Sequence, residues 1–345
     1  MTYLLLPLLL ILPLTILAET STCPPTPLLL PTCAYPPEPY TIERSPGKGL
    51  GVFSRADLTP GTIILREPAI LSITPPAISK GTGYPMPMIS SLVREAYEQL
   101  SEAAQHAVLN LHFHVFPGEL ENGHGWEEPL GYIFRTNAYN TGEGIALFPK
   151  IARINHSCRP NAGYYWDGNT GQRVVYASRH IAAGDEVFDS YIPLLLPRHR
   201  RHERLERYGF TCSCPTCMLS GSLLSRSDRR RDDIAMAFMA FKARMDLLKP
   251  NSSSELREAR RDAAWSLELV DWVEREGLVD YFAQAYKIVA VSHARVGDWE
   301  MASVWANKGF ERRVLEYSGS GWAAEMGELT RGFIERWKEE LGVGK

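Results

Sequence analysis

The run Arg153-Ile154-Asn155-His156-Ser157-Cys158-Arg159-Pro160-Asn161 and the run Cys212-Ser213-Cys214-Pro215-Thr216-Cys217 decide how this 345-residue chain is read. Three thiols within one tight turn can converge on a single metal ion, and disulfides cannot use them neatly. Zn²⁺ favours four thiolates at tetrahedral corners, with Zn–S near ~2.3 Å. The fourth ligand must come from elsewhere. Cys158 is the natural candidate, because Cys23 and Cys33 lie in a proline-rich leader. Four thiolates leave no open coordination position, so such a zinc would be structural. It would staple residues 212–217 onto the segment around Cys158. Taken alone, the Asn-His pair beside that cysteine also suits a simple hydrogen-bonded turn.

Outward from these runs, the composition is that of an ordinary globular protein, with 45% hydrophobic and 22% charged residues. Lys and Arg number 37 against 40 Asp and Glu, a net charge of −3. That balance gives no whole-chain electrostatic reason to bind nucleic acid. Six cysteines are too few for a disulfide scaffold at this length. From Tyr3 to Ala18 the chain is leucine-rich and uncharged. The run is short of the ~20 apolar residues that a spanning helix needs, so no stable membrane span is expected. It suits a secretory signal over residues 1–18, with Ala18 at the cleavage site. No Lys or Arg precedes the run, and Pro7 and Pro13 interrupt it, features that fit an N-terminal extension instead. Residues 19–39 are proline-rich and run extended. Cys23 and Cys33 could pair there in an oxidising compartment.

Short β-prone runs at 40–44, 51–54 and 62–67 follow, punctuated by Gly and Pro. Residues 86–116 read as helical through Leu92, Tyr97, Leu100, Ala104, Val108 and Leu111. Strands resume near 145–148, 162–166, 173–178 and 186–190, with Asp167-Gly168-Asn169 marking a hairpin turn. After Cys217 the pattern is helical to the end. Ser252 and Glu255 form a capping-box signature. Residues 279–296 and 299–317 read as a helical hairpin joined at Gly297-Asp298, and a last helix covers 323–341. The hairpin is tetratricopeptide-like in composition, but an array needs about three units. A helical lobe packed on the β domain is the simpler reading.

Other stretches carry chemical potential. Lys48-Gly49-Leu50-Gly51 lets a backbone approach a ligand closely, though a lone Gly-x-Gly also suits a simple turn, and the lack of a following helical pattern argues against a Rossmann site. Gly184-Asp185-Glu186-Val187-Phe188-Asp189-Ser190-Tyr191 reads as a turn, a strand and an aromatic hydroxyl; Tyr208-Gly209-Phe210 precedes the cysteine trio. No Gly-x-Ser-x-Gly elbow or His-Glu-x-x-His pair supports hydrolytic chemistry.

The order of these motifs, Gly-x-Gly, Asn-His-Ser-Cys-x-Pro-Asn, Gly-Asp-Glu-(x)4-Tyr and Phe-x-Cys-x-Cys-x-x-Cys, resembles the SET-domain protein lysine methyltransferases. The SET and MYND type is most similar, through Asn137, the run 144–161 and the helical C-terminal part. The MYND finger itself is missing, since no cysteine lies between Cys33 and Cys158. The resemblance implies an α+β fold: a SET-type β-fold of several small sheets over residues 40–193, with a helical insertion at about 86–130. A post-SET zinc segment over 194–220 and an all-helical C-terminal lobe over 228–345 complete it.

The same resemblance implies transfer of methyl groups from S-adenosylmethionine to lysine side chains of a protein substrate. Lys48, Leu50, Gly51, Asn137, Asn155, His156 and Phe210 would bind the cofactor, and Tyr191 and Tyr208 would form the catalytic lysine channel. Cys158, Cys212, Cys214 and Cys217 would hold structural Zn²⁺. A monomer that makes no direct nucleic-acid contact is expected. The rival readings are a catalytically silent SET-like interaction module and a secreted, disulfide-bearing interaction protein. Leader and core point to different compartments: the secretory pathway on one side, the nucleus or cytoplasm on the other.

Overall fold

The computed structural model describes residues 38–75, 85–120, 129–142 and 144–343. The leucine-rich leader and the pairing of Cys23 with Cys33 lie outside them. Among the described residues, ten short strands form three small sheets. β1 (Tyr40–Ser45), β2 (Gly49–Ser54), β10 (Glu186–Asp189) and β7 (Asn155–His156) make the first, in that order. β3 (Ile63–Pro68), β9 (Gln172–Ala177) and β8 (Ala162–Asp167) make the second. β4 (Leu71–Ile73), β6 (Ile145–Leu147) and β5 (Tyr139–Asn140) make the third. β10 lies antiparallel to β2, with Val187 opposite Val52, and parallel to β7, with Phe188 opposite Asn155. This pairing brings the Gly-x-Gly, Asn-His and Glu-x-x-x-x-Tyr stretches side by side.

The stretch expected as one helix over 86–116 is two, α1 (Met86–Glu98) and α2 (Glu102–Leu109). Ser101 separates them: its backbone is extended, and its Oγ accepts the N–H of Ala104, an N-cap that restarts the helix. A short α3 (Pro117–Leu120) and α4 (Pro129–Asn137) complete the helices of this region. Ile89, Val93, Val108, Ile133 and Phe134 bury one face of these helices against Leu71, Ile73 and Leu147. The β8–β9 loop runs 168–171, with the left-handed backbone at Gly171 (φ 64°) and not at Gly168. Asp167 organises it, its carboxylate accepting from Asn169 N and Thr170 Oγ1.

Beyond α5 (Arg198–Leu205), the C-terminal helices are α6 (Gly221–Lys242), α7 (Ser253–Glu276), α8 (Phe282–Arg295), α9 (Trp299–Tyr317) and α10 (Gly321–Glu340). Ser252 Oγ caps Glu255 N at 3.1 Å, while the Glu255 carboxylate takes the N–H of Asn251 at 2.6 Å. The capping box therefore closes one residue earlier than its ideal form. No helix among the described residues is long and apolar enough to cross a membrane.

The helical part is bolted to the β part by a buried charge network. Arg231 of α6, with no exposed surface, donates to the carbonyls of Leu194 (2.6 Å) and Cys158 (3.1 Å) and to Glu276 of α7 (3.1 Å). Ser227 and Arg230 also hold Glu276. Arg312 of α9 reaches the Ser178 carbonyl at 2.7 Å, and Tyr317 stacks on Tyr165 at 4.1 Å between ring centres. Removing one partner from a buried, hydrogen-bonded ion pair costs about 3–5 kcal/mol. Arg231→Met should therefore lower unfolding stability by about 3 kcal/mol in urea denaturation. Arg231→Lys should recover little of it, because an ammonium cannot reproduce the forked contacts.

Candidate active site and cysteine cluster

The cysteine trio folds as a turn in which Cys217 N and Met218 N both donate to the Cys214 carbonyl, at 2.9 and 3.0 Å. Cys158 follows β7 directly, in a turn held by Arg159 N on Ser157 Oγ. The four sulfurs converge to within 4.8 Å of one another, and Cys158 and Cys217 lie 3.5 Å apart. A tetrahedron with Zn–S bonds of ~2.3 Å has edges of ~3.8 Å, so the set fits an ion of zinc's size. All four thiols are free, and three are buried. Hydrogen bonds among the four thiols pull their proton affinities apart: Cys214 and Cys217 are held below the ordinary range, and Cys158 and Cys212 are pushed above it. Buried Arg201 lies with Nη2 4.0 Å from Cys217 Sγ.

Beside the cluster runs a cleft of about 1380 Å³. Its lining joins Lys48, Gly49 and Leu50 to Asn137, Asn155, His156, Tyr191, Tyr208 and Phe210. Gly47 and Gly49 adopt positive φ (74° and 82°), and side chains there would meet open space. Glycine is needed at both for backbone conformation alone. Gly51 is different. It is buried behind the lining, and a Cβ there would fall 2.5 Å from Glu186 Oε1 and 3.1 Å from Asn155 Nδ2. Its missing side chain makes room for two protein groups, not directly for a ligand.

Glu186, part of the Gly-Asp-Glu motif but not among the expected site residues, is the hub of this wall. It accepts from Lys48 Nζ (3.0 Å), Ser45 Oγ (3.0 Å) and Asn155 Nδ2 (2.7 Å). Lys48 also lies 4.3 Å over the Phe188 ring. Asn155 Nδ2 further donates to the Leu50 carbonyl at 3.0 Å, fixing the glycine loop to β7. Asn137, at the end of α4, spends both amide protons on the carbonyls of Ile133 (2.8 Å) and His112 (2.7 Å). It can offer a ligand only its carbonyl oxygen. His156 is likewise committed: Nδ1 accepts the Tyr191 N–H at 3.2 Å, and Nε2 lies 3.4 Å from Cys158 Sγ. Burial pushes its ring down to about 4, so it is neutral at physiological pH. It is a strut between sulfur cluster and tyrosine, and only its main chain remains for a ligand.

The far wall is aromatic. Tyr191 donates its hydroxyl to the Ile154 carbonyl at 2.6 Å, and Tyr208 donates to the Tyr191 carbonyl at 3.2 Å. Their rings stand 4.9 Å apart, and Phe210 meets Tyr191 edge-on at 6.3 Å. Burial holds both phenols above their ordinary range, so neither is a ready base. Phe210 is 37% exposed and offers a free face to the cleft. A glycine-bent loop, convergent polar groups and an aromatic platform in a cleft of this size suit an elongated, nucleoside-like ligand.

Residues 49–192 match the SET-domain family model. The chain carries a SET domain. The match ends before Tyr208, Phe210 and the cysteine trio, which the fold folds back onto it. The chain is 28% identical over 293 residues to a protein named histone-lysine N-methyltransferase set5 from Schizosaccharomyces pombe, covering 83% of this chain and 81% of that one. It is 36% identical over 135 residues to N-lysine methyltransferase SMYD2-B from Danio rerio, covering 38% and 30%. Over 75 residues it is 47% identical to N-lysine methyltransferase SMYD2-A from Xenopus laevis, covering 21% and 17%. The alignments thus span most of the fission-yeast relative and under a third of the SMYD2 proteins.

The sulfur geometry leads to a direct check. Purified protein should carry about one equivalent of zinc by elemental analysis, and Cys214→Ser should lose it together with several degrees of melting temperature.

Proposed function

We propose that this protein transfers a methyl group from S-adenosylmethionine to lysine side chains of protein substrates, in a site closed by structural zinc. One observation carries the reading: within a SET domain, stretches more than 100 residues apart converge on a single cleft with an aromatic wall. The names of the relatives, histone-lysine and N-lysine methyltransferases, support it.

When bound, S-adenosylmethionine supplies a methyl group on a cationic sulfur. Lys48 and Leu50 would line it along the glycine loop, with Gly51 and Glu186 shaping that loop from behind. Asn155 and the main chain of His156 would flank it, Asn137 would accept a hydrogen bond through its carbonyl oxygen, and Phe210 would face the adenine. Tyr191 and Tyr208 would wall the channel through which the lysine arrives. The reaction needs a neutral amine, and lysine in water holds its proton to about pH 10.4. An aromatic channel beside a sulfonium lowers that value through desolvation and like-charge repulsion. Alignment then supplies most of the acceleration. Cys158, Cys212, Cys214 and Cys217 would hold zinc, which would keep Tyr208 and Phe210 against the SET domain. In domain terms, residues 40–193 would hold the catalytic part, 194–220 the zinc segment, and 228–345 the lobe that shapes substrate access. The protein would act as a monomer on a protein partner, without direct nucleic-acid contact.

The test is incubation with radiolabelled S-adenosylmethionine and a protein extract. Label on extract protein is the expected outcome; cofactor binding without label would establish the silent interaction module instead. Tyr191→Phe should reduce kcat about 10²-fold, the scale of a small misplacement in an aligned site. Its melting temperature should stay within a few degrees of wild type.

A further inference from the structure

A second cavity, about 230 Å³, lies where β8 and β10 meet the turn at 279–281, α9 and the start of α10. Pockets for whole small molecules begin near ~300 Å³, so this one suits a single side chain. Side chains alternate along β10: Phe188 lines the large cleft, and Asp189 lines the small cavity. Asp189 is 1% exposed. Its Oδ1 has no hydrogen-bond partner, and its Oδ2 accepts a long 3.4 Å bond from Tyr139. Asp280 lines the same cavity and is exposed to solvent, and Tyr164, Tyr317 and Trp322 add aromatic surface. Cations near the cavity are committed elsewhere. Arg312 and Arg313 both pair with Glu316, at 3.2 and 2.6 Å, and Arg313 lies over the Trp322 ring. Arg173 lies over the Tyr139 and Tyr164 rings at 4.3 and 4.4 Å and donates to the Asn140 carbonyl. Two carboxyl groups and aromatic rings around one small space are the chemistry that receives an ammonium or a guanidinium.

We propose that this cavity receives a second basic side chain of the protein substrate, an arginine or a lysine that flanks the lysine entering the cleft. The inference rests on the methyltransferase reading. Adjacency argues for the substrate as its source. Tyr164 and Ser190 line both cavities, and Ser190 directly precedes Tyr191 of the lysine channel. A chain that delivers one side chain past Tyr191 therefore runs beside the small cavity. The flanking cation would donate to Asp189 Oδ1 and stand opposite Asp280, with its alkyl stem against the Tyr164 ring.

Charge and binding are linked at this site. Facing Asp189 are Tyr139 from β5, its ladder partner His156 from β7, Tyr164 from β8, Arg173 from β9 and Asp280 from the turn at 279–281. Tyr191 and Tyr208 stand beyond Ser190, and Glu316 and Arg313 face the cavity from α9. Burial pushes the Asp189 carboxyl up to about 8. A cation beside it lowers that value, so binding expels a proton. At pH 7.5 about a quarter of the molecules already carry the anion, and the proton weakens binding by about fourfold. Affinity for a permanent cation therefore rises with pH through that range.

Binding and labelling experiments on the full chain decide the matter. N-acetyl-arginine amide should give a saturable change in Trp322 fluorescence, read as wild type minus Trp322→Phe, and N-acetyl-norleucine amide should give none. Asp280→Asn, at an exposed position, should weaken the arginine amide by about tenfold. Calorimetry in buffers of different ionisation heat should show about three-quarters of a proton released per amide bound at pH 7.5. In methyl labelling of a protein extract, the arginine amide should slow wild type at low extract concentration and spare it at high. Asp280→Asn should raise KM for the extract about tenfold with kcat unchanged. No saturable signal, a signal matched by the norleucine amide, or one untouched by Asp280→Asn overturns the proposal. Binding without proton release, or labelling indifferent to the amide, overturns it as well. If wild type labels nothing, the methyltransferase reading falls and the substrate assignment with it, while the fluorescence titration still reports whether the cavity takes a cation.

Discussion

Four sulfur atoms gather two parts of the chain that are otherwise connected only through a long detour. Cys158 leaves the end of β7, and Cys212, Cys214 and Cys217 end the segment that carries Tyr208 and Phe210. His156 and Cys158 are two residues apart, so the sulfur that joins the cluster also fixes the histidine whose Nδ1 takes the Tyr191 N–H. The position of Tyr191 is thus referred back to sulfur geometry. Without an ion, four close thiols must share protons in hydrogen bonds that do not fix tetrahedral corners. With one, the corners are set by bond lengths that vary little.

The opposite wall depends on a different economy of groups. Glu186 satisfies a lysine, a serine and an asparagine at once, and Gly51 permits it because a methyl group there would occupy the same space. Asn161 contributes in the same spirit, its Nδ2 donating to the Glu186 carbonyl and its Oδ1 accepting from Phe188 N. Its side chain stands in for strand pairing where β7 ends. Polar groups close to the cleft are therefore largely committed to protein partners. Among the groups that remain for a ligand are the carbonyl of Asn137, the main chain of His156 and the face of Phe210.

Local sequence carries some of this clearly. The Cys-x-Cys-x-x-Cys spacing and the solitary placement of Cys158 are sufficient to expect the sulfur cluster. The motif order is sufficient to expect the SET domain that residues 49–192 match. Periodicity marks the helices but runs through Ser101, whose capping role competes with a helical phase that continues on both sides. It also cannot register that α6 begins at Gly221, ahead of the apolar pattern. Long-range roles are the least legible. The Lys48–Glu186 and Asn155–Glu186 contacts exist because β2, β10 and β7 are neighbours out of chain order. Asp189 does leave a trace: strict alternation along Val187-Phe188-Asp189 places a carboxylate on the same buried face as a valine. An anion in a hydrophobic register is a signal that the order of residues alone carries.

Arg231 gives the helical part a meaning beyond shaping a cleft. Its guanidinium ends on the carbonyl of Cys158, the same residue whose sulfur joins the cluster. The core it stands in holds Cys158, Cys212 and Cys217 together with Ile234, Phe241, Leu269 and Val273 of α6 and α7. Cys158, Ile192 and Leu194 therefore share one hydrophobic cluster with these helices, apart from the clusters that fill the sheets. A substitution at Arg231 in α6 would be felt at the backbone of Cys158, and through it at the cysteine cluster.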